Sequence, residues 1–308
     1  MDKRLKASFV PSPNWGDLCT PYFLRKLNIP FIWTHHNIQK KVVMVGSVIQ
    51  GGTKPNTYVW GPGLMFIHRN KVDKDGIFAA VRGPKTIEAL KNLNIDISNT
   101  IIGDPASILP KIYQPKVEKK YKLGIIPHMQ DGKEVKEFME KNRHLFENTL
   151  VINSNRRLSN FEDYIDEVNS CEKILSTSLH GVICAHAYNI PVKWMKLGDR
   201  LMGDDIKFYD HFESIGLDID KDNLKLKGFP IDENVEIKNT NHIELLNKNA
   251  KNLWNCRPWK VLGDEYYVDL DEENWQKQCY PEKFTFNKDK EVLWVFNGEV
   301  IEDNSIKF

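Results

Sequence analysis

The stretch ILSTSLHGVICAHAYNIPVKW, Ile174 to Trp194, decides the fold. Two apolar runs flank Ser176-Thr177-Ser178-Leu179-His180-Gly181. The pattern reads as a strand ending at Ile174–Leu175, a helix over 179–188 and a second strand over 192–195. A helix linking two strands is the crossover of a parallel sheet. Its polar turn therefore sits at a strand's carboxyl end and a helix N-terminus, where free amide N–H groups and the dipole favour an anion. Ser176 and Ser178 offer hydroxyls, and Gly181 would let a ligand approach the backbone. His180 lies in the first helical turn, able to bind a phosphate as a cation or to pass a proton near neutral pH. The same residues also suit a plain helix start, because Ser and Thr are ordinary caps.

The alternation extends in both directions. Strands are expected over 41–49, 57–60, 77–81 and 100–102, and again over 122–126 and 149–152. Helices are expected over 84–92, 132–142, 161–171 and 239–254, the first carrying Pro84 in its first turn and the third opened by a Ser159 to Glu162 capping box. The charged segment 114–121, with Pro115, is the linker candidate. The chain thus reads as α/β, with two Rossmann-like domains over residues 1–115 and 116–255. An aromatic-rich extension, 256–308, carries Trp259, Trp275 and Trp294 and a hairpin around Asn297-Gly298. In such sheets ligands bind beyond the carboxyl ends of the strands.

Size and charge bound the function. At 308 residues two domains are expected. Lys and Arg total 43 against 42 Asp and Glu, so no long-range field draws in nucleic acid. The five cysteines are scattered without a C-x-x-C pair, which argues against a disulfide framework and a thiolate zinc site. His180 and Cys184 share a helical face but lack a third ligand, so no metal is expected. No signal-peptide layout and no run of about 18 apolar residues is present, so a cytoplasmic protein is expected.

Two further constellations lie at strand or helix ends. Asn14 and Asp17, in Pro13-Asn14-Trp15-Gly16-Asp17, suit a helix cap, or a carboxylate base and hydrogen-bonding group beside a cleft. Arg82 and Lys85 flank Gly83-Pro84 and suit an anion clamp or a solvated charge pair. Gly46-Ser47 and Gly61-Pro62-Gly63 are tight turns, but neither forms a P-loop or a G-x-G-x-x-G fingerprint.

Taken in order, NWGD (Asn14–Asp17), WGPGL (Trp60–Leu64), VRGPKTIEAL (Val81–Leu90), IGDPAS (Ile102–Ser107), STSLHGVICAHAYNIPV (Ser176–Val192) and KFYDHFESIGL (Lys207–Leu217) resemble the motifs of the polysaccharide pyruvyl transferases. The resemblance implies a GT-B-like pair of domains facing a cleft, with the acceptor on the N-terminal side and the donor on the other. It implies no cofactor. Phosphoenolpyruvate is the implied donor substrate, and a sugar of a surface-polysaccharide precursor, lipid-linked, the implied acceptor, giving a cyclic ketal and phosphate; such an acceptor implies peripheral contact with the inner face of a membrane without spanning it. His180 and Arg82 match the expected donor-site residues, and Asn14 and Asp17 the N-x-G-D turn. Many members carry an Arg two residues before the His, where this chain has Ser178. Arg82, Lys85, His128 and Lys207 are the cations that would replace it. A nucleotide-sugar glycosyltransferase of the same architecture and a non-catalytic carbohydrate-binding protein are the competing readings.

Overall fold

The computed structural model describes residues 3–269, apart from 69–70, 200, 221–223 and 230–232. Its first half holds β1 (Lys3–Ser8), α1 (Trp15–Lys26), β2 (Phe31–Trp33), β3 (Val42–Val43), the interrupted turn α2 (Ile49–Gly52), β4 (Tyr58–Trp60), β5 (Ile77–Val81), α3 (Pro84–Asn92), β6 (Ile101–Ile102) and the short α4 (Leu109–Ile112). The second holds β7 (Leu123–Ile126), α5 (Gly132–Lys141), β8 (Thr149–Val151), α6 (Phe161–Asn169), β9 (Ile174–Ser176), α7 (Leu179–Ala187), β10 (Val192–Lys196), α8 (Ile206–Ser214) and β11 (Lys225–Lys227). The chain then returns through α9 (Ile243–Asn255), α10 (Pro258–Val261) and β12 (Tyr267–Asp269).

The strands form two sheets, ordered β12-β1-β3-β4-β5-β6 with β2 also on β1, and β11-β10-β9-β7-β8. Every pairing is parallel except that of β12 with β1. Each sheet reverses its winding once. Ala7 pairs with both Trp33 and Val42, so β1 has β2 on one edge and β3 on the other. Ile125 pairs with both Val151 and Leu175, so β7 lies between β8 and β9. A ligand crevice is expected beyond the strand ends at each reversal.

Period-2 alternation sends neighbouring residues into different cores. Ile174, Val192 and Trp194 of the second sheet join Val42, Tyr58, Trp60 and Ala80 of the first in one cluster. Val43, Val59 and Val81 pack with Leu90 of α3 on the first sheet's other face, and Leu123, Ile125, Leu175 and Met195 pack with Val135 of α5 on the second's. The two halves therefore share their largest core. α9 strengthens this join, because its carbonyls reach the first sheet: Trp60 Nε1 donates to Leu253 O at 3.0 Å and Tyr58 Oη to Cys256 O at 2.7 Å.

Several expectations shift. The strand expected over 41–49 shrinks to Val42–Val43, since the chain turns away at Gly46, whose φ is +113°. The Ser159 to Glu162 box does not open α6. A 3₁₀ turn, Leu158–Asn160, precedes it, Asn160 Oδ1 accepts from Arg157 N, and Glu162 instead receives Tyr22 Oη and Lys26 Nζ. The start of the expected extension belongs to the first sheet through β12. The expected hairpin, with Trp275 and Trp294, lies outside the described residues. No helix among the described residues is long and apolar enough to cross a membrane.

Three buried histidines meet where α7, α8 and the start of α9 converge. His186 Nδ1 lies 3.0 Å from His211 Nε2, and the His186 and His242 ring centroids are 4.5 Å apart. Burial and then the neighbouring His211 and His242 lower His186, and burial holds His211 down at about 3. Below pH 6.5 the unfolded chain binds protons that the folded protein refuses, so stability falls as pH drops from 6.5 toward 3. Urea melts at pH 7.5 and 5.5 are expected to show a lower midpoint at pH 5.5.

Candidate active site

The NWGD turn is pinned to the second half of the chain. Asn14 caps α1, its side chain accepting from Gly16 N at 2.9 Å. Trp15 N donates to Ser154 O at 2.9 Å and Arg156 N to Pro13 O at 2.7 Å. The Trp15 indole stacks on both Phe161 and Tyr164 of α6, at centroid distances of 4.8 and 4.3 Å. Trp15 is thus an anchor, and Gly16 and Asp17 are held at the boundary between the two sheets.

The second sheet's reversal brings the end of β7 against the end of β9, where His128 N donates to Thr177 Oγ1 at 2.7 Å. Every residue of α7 is buried. Ser176 Oγ donates to Ser178 O at 2.8 Å and accepts from Ser178 N at 3.0 Å, so it stiffens the turn. Ser178 holds the N-cap position without a side-chain cap bond. Gly181 departs from expectation: a Cβ there would lie 2.5 Å from Ser176 Oγ and 2.8 Å from Ile126 Cγ2. It permits close helix-on-strand packing, and Gly181→Ala is expected to cost about 1–3 kcal/mol in chemical denaturation.

His180 is where the two halves meet. A Cβ added to Gly16 would fall 2.1 Å from its Nδ1, so only glycine allows the ring to lie on the NWGD turn. On the far side, Nε2 lies 3.7 Å from Asp104 Oδ2. That separation is a contact between charges when the ring is protonated, longer than a hydrogen bond. Both atoms are buried and lack hydrogen-bond partners among the described residues. Asp104 belongs to Ile102-Gly103-Asp104-Pro105, at the end of β6. Its other oxygen accepts from Ala106 N at 2.9 Å, which leaves Oδ2 for His180.

Asp17 and Lys207 complete the group. Ser12 Oγ donates to Asp17 Oδ2 at 2.6 Å. Burial raises the Asp17 carboxyl against the Ser12 bond and the charges of His180 and Lys207. Asp104 goes the other way: burial acts to raise it, but the His180 contact, the Ala106 amide and the Arg82 charge together hold it below its ordinary value. Lys207 Nζ donates to Met202 O at 3.1 Å. Burial, with Arg82 beside it, brings Lys207 down to about 8 against the pull of Asp205 and Asp17. Burial, then Lys207, holds His128 at about 4.

Arg82 and Lys85 are not brought into this group as a clamp. Arg82 is fully enclosed: Nε donates to Asp210 Oδ2 at 3.3 Å, Nη1 to Ser47 Oγ at 2.9 Å and Nη2 to Leu64 O at 2.8 Å. Asp210 also accepts from Thr86 N and Thr86 Oγ1. The pair joins α8, which carries Lys207, to α3 and the Gly46-Ser47 turn. Lys85 pairs with Glu213 at 3.1 Å. Asp104, missed as a site residue, was legible only as a turn: Asp before Pro reads as a cap, and its second oxygen is aimed by the fold. Among the described residues no cluster of three or more His, Cys, Asp or Glu could hold a metal ion.

Two sheets thus share one core, and a His, a Lys and two carboxylates lie at their junction. The chain matches the polysaccharide pyruvyl transferase model over residues 4–195, more than half its length, and belongs to that family. It is therefore a pyruvyl transferase of polysaccharide synthesis, acting on a polysaccharide acceptor. It is also 33% identical over 238 residues to the uncharacterized protein L143 of Acanthamoeba polyphaga mimivirus, covering 72% of this chain and 80% of that protein. No solved structure matches it significantly.

Proposed function

We propose that the enzyme takes its pyruvyl group from phosphoenolpyruvate and sets it as a cyclic ketal across two hydroxyls of a surface-polysaccharide precursor, in a GT-B-like frame. The observation that carries this reading is the buried His180, set between Asp104 and the Gly16-Asp17 turn with Lys207 alongside. The donor is a dianionic phosphate and a carboxylate on one small carbon frame. The start of α7, with its free N–H groups, and the Lys207 ammonium suit those anions. Lys207 takes the place of the Arg that Ser178 lacks.

His180, as its imidazolium steadied by Asp104, protonates the methylene carbon of the donor, which becomes a methyl. Asp17, made a stronger base by the burial that raises its carboxyl above the ordinary value, receives as its carboxylate the proton of the first sugar hydroxyl as that oxygen bonds to the central carbon. The carbon–oxygen bond to phosphate then breaks, and the second hydroxyl closes the ring. Of the two hydroxyl protons, one is balanced by the new methyl and one leaves with phosphate. Holding donor and both hydroxyls in one geometry supplies much of the rate.

Phosphate release from phosphoenolpyruvate that requires a glycan acceptor, with a pyruvate ketal in the product, supports the reading. Release without ketal, or transfer from a nucleotide sugar, contradicts it. Lys207 gives a second expectation. Its charged form binds the donor, so donor affinity falls as pH rises through about 8. Lys207→Met is expected to abolish that pH dependence, weaken phosphoenolpyruvate at least tenfold and raise the melting temperature, since a desolvated cation is removed. Calorimetric titration from pH 6.5 to 9 measures the first two.

A further inference from the structure

Lys41 and Lys207 are buried lysines with opposite surroundings. Lys41 Nζ donates to His36 O at 2.8 Å, Ile38 O at 2.6 Å and Thr57 Oγ1 at 3.4 Å, and none of its surface is exposed. Its three N–H donors are spent and its nitrogen is sealed. Lys207 Nζ donates only to Met202 O among the described residues, at 3.1 Å, and 8% of the residue stays exposed. The charged and titratable groups that face it are Arg82 from the end of β5, Asp17 of α1, Asp205 just before α8 and His128 beyond β7. Burial, with Arg82 next to it, holds the Lys207 ammonium at about 8. A desolvated lysine beside another cation is the setting in which an amine becomes a nucleophile toward a carbonyl carbon. An arginine in the same place would hold an anion equally well and could not react.

We propose that Lys207 is a covalent site for pyruvate and related 2-oxo acids, which enter as donor-shaped anions and form a reversible imine with Nζ that closes the enzyme to its donor. The proposal rests on the pyruvyl transfer reading, because pyruvate is what hydrolysis of phosphoenolpyruvate leaves beside phosphate. The two molecules share a carboxylate, and pyruvate presents a ketone where the donor carries its phosphate ester. The ammonium that suits the phosphate therefore faces the ketone carbon. Once neutral, the amine adds to that carbon: a C–N bond forms, the carbonyl electron pair goes to oxygen, and a proton passes from nitrogen to oxygen to give a carbinolamine. The hydroxyl then leaves as water on taking the proton that the ammonium first gave up, and nitrogen keeps one proton as an iminium. Ammonium and ketone thus give iminium and water, with no oxidant or reductant. The positive charge that Asp17 and Asp205 faced is retained. Donor wasted by hydrolysis in this way restrains the enzyme that wastes it.

The test uses the full chain. Wild type is incubated with pyruvate and sodium cyanoborohydride, which reduces an imine to a stable secondary amine, and then digested for peptide mass mapping. One adduct per chain is expected, on Lys207 and not on Lys41, formed at least about tenfold faster than on Lys133, whose side chain is 90% exposed and keeps an ordinary lysine's small neutral fraction. The adduct is expected to form faster at pH 8 than at pH 6.5, and excess phosphoenolpyruvate is expected to slow it. Without the reductant, pyruvate should inhibit transfer in competition with phosphoenolpyruvate and release it on dilution; with the reductant the inhibition becomes permanent. Lys207→Arg, which keeps the cation, is expected to remain stabilised by phosphoenolpyruvate and to take no adduct. No adduct on Lys207, or one that forms there no faster than on Lys133, overturns the proposal, and does so even where phosphoenolpyruvate stabilises the protein and the donor reading stands. A rapid Lys207 adduct that phosphoenolpyruvate does not slow keeps the 2-oxo acid site and counts against the donor reading instead.

Discussion

His180→Gln is expected to lower ketal formation by about 10²- to 10⁴-fold while leaving the melting temperature close to wild type, the range over which a positioned acid or base contributes. Glutamine keeps a polar head near Asp104 Oδ2 but cannot be protonated or pass a proton. The imidazole is buried, so the fold could suffer with it. Glutamine's similar bulk against Gly16 limits that loss, and near-UV circular dichroism checks it. Asp104→Asn separates orientation from chemistry. With the carboxylate neutralised, the imidazolium loses its partner at 3.7 Å, and the rate is expected to fall with the alkaline limb of the pH–rate profile moved to lower pH. A merely structural Asp104 would lower activity without moving that limb. Full activity in His180→Gln would remove the imidazole from the mechanism.

The largest stability effect is expected at Arg82. Its guanidinium and the Asp210 carboxylate are both fully buried, 3.3 Å apart. Arg82→Met leaves Asp210 with its two Thr86 bonds but without a countercharge, at a cost of about 3–5 kcal/mol. The double variant Arg82→Met with Asp210→Leu should recover much of that loss, because it removes the stranded charge as well. Urea denaturation of the single and double variants measures both. A single variant as stable as wild type would mean that the pair does not join α8 to α3 and the Gly46-Ser47 turn.

What the sequence disclosed follows the range of the interactions involved. α3 was legible because Pro84 at its start and the apolar spacing to Leu90 are local, and α7 because Ser176 to Ser178 mark a strand-to-helix turn on their own. β1 was not: Lys3-Arg4-Leu5-Lys6-Ala7-Ser8 interleaves cations with small residues, yet Arg4 and Lys6 are buried beside β12, with Lys6 Nζ donating to Glu265 O at 2.9 Å. β12 comes more than 250 residues later, beyond any local signal. The same holds in the site. Arg82 reads as an anion clamp until Asp210 arrives from 128 residues away and enfolds it. Gly181 reads as a ligand doorway until Ser176 and Ile126 are found against it. Asp104 reads as a cap because one of its oxygens is a cap. Asn14, Asp17, His128, His180 and Lys207 could be nominated by type and position, but their convergence depends on how α1, α7 and α8 pack across two sheets.

The central claim is that the group around His180 is built for phosphoenolpyruvate. Thermal melts of wild type with phosphoenolpyruvate, and separately with a panel of nucleotide sugars, test it most directly. At about 100 times its dissociation constant a bound ligand adds about 2.7 kcal/mol, enough to move a melting curve visibly. Stabilisation by phosphoenolpyruvate, reduced in Lys207→Met and absent with every nucleotide sugar, is the predicted result. Stabilisation by a nucleotide sugar with none from phosphoenolpyruvate would contradict it.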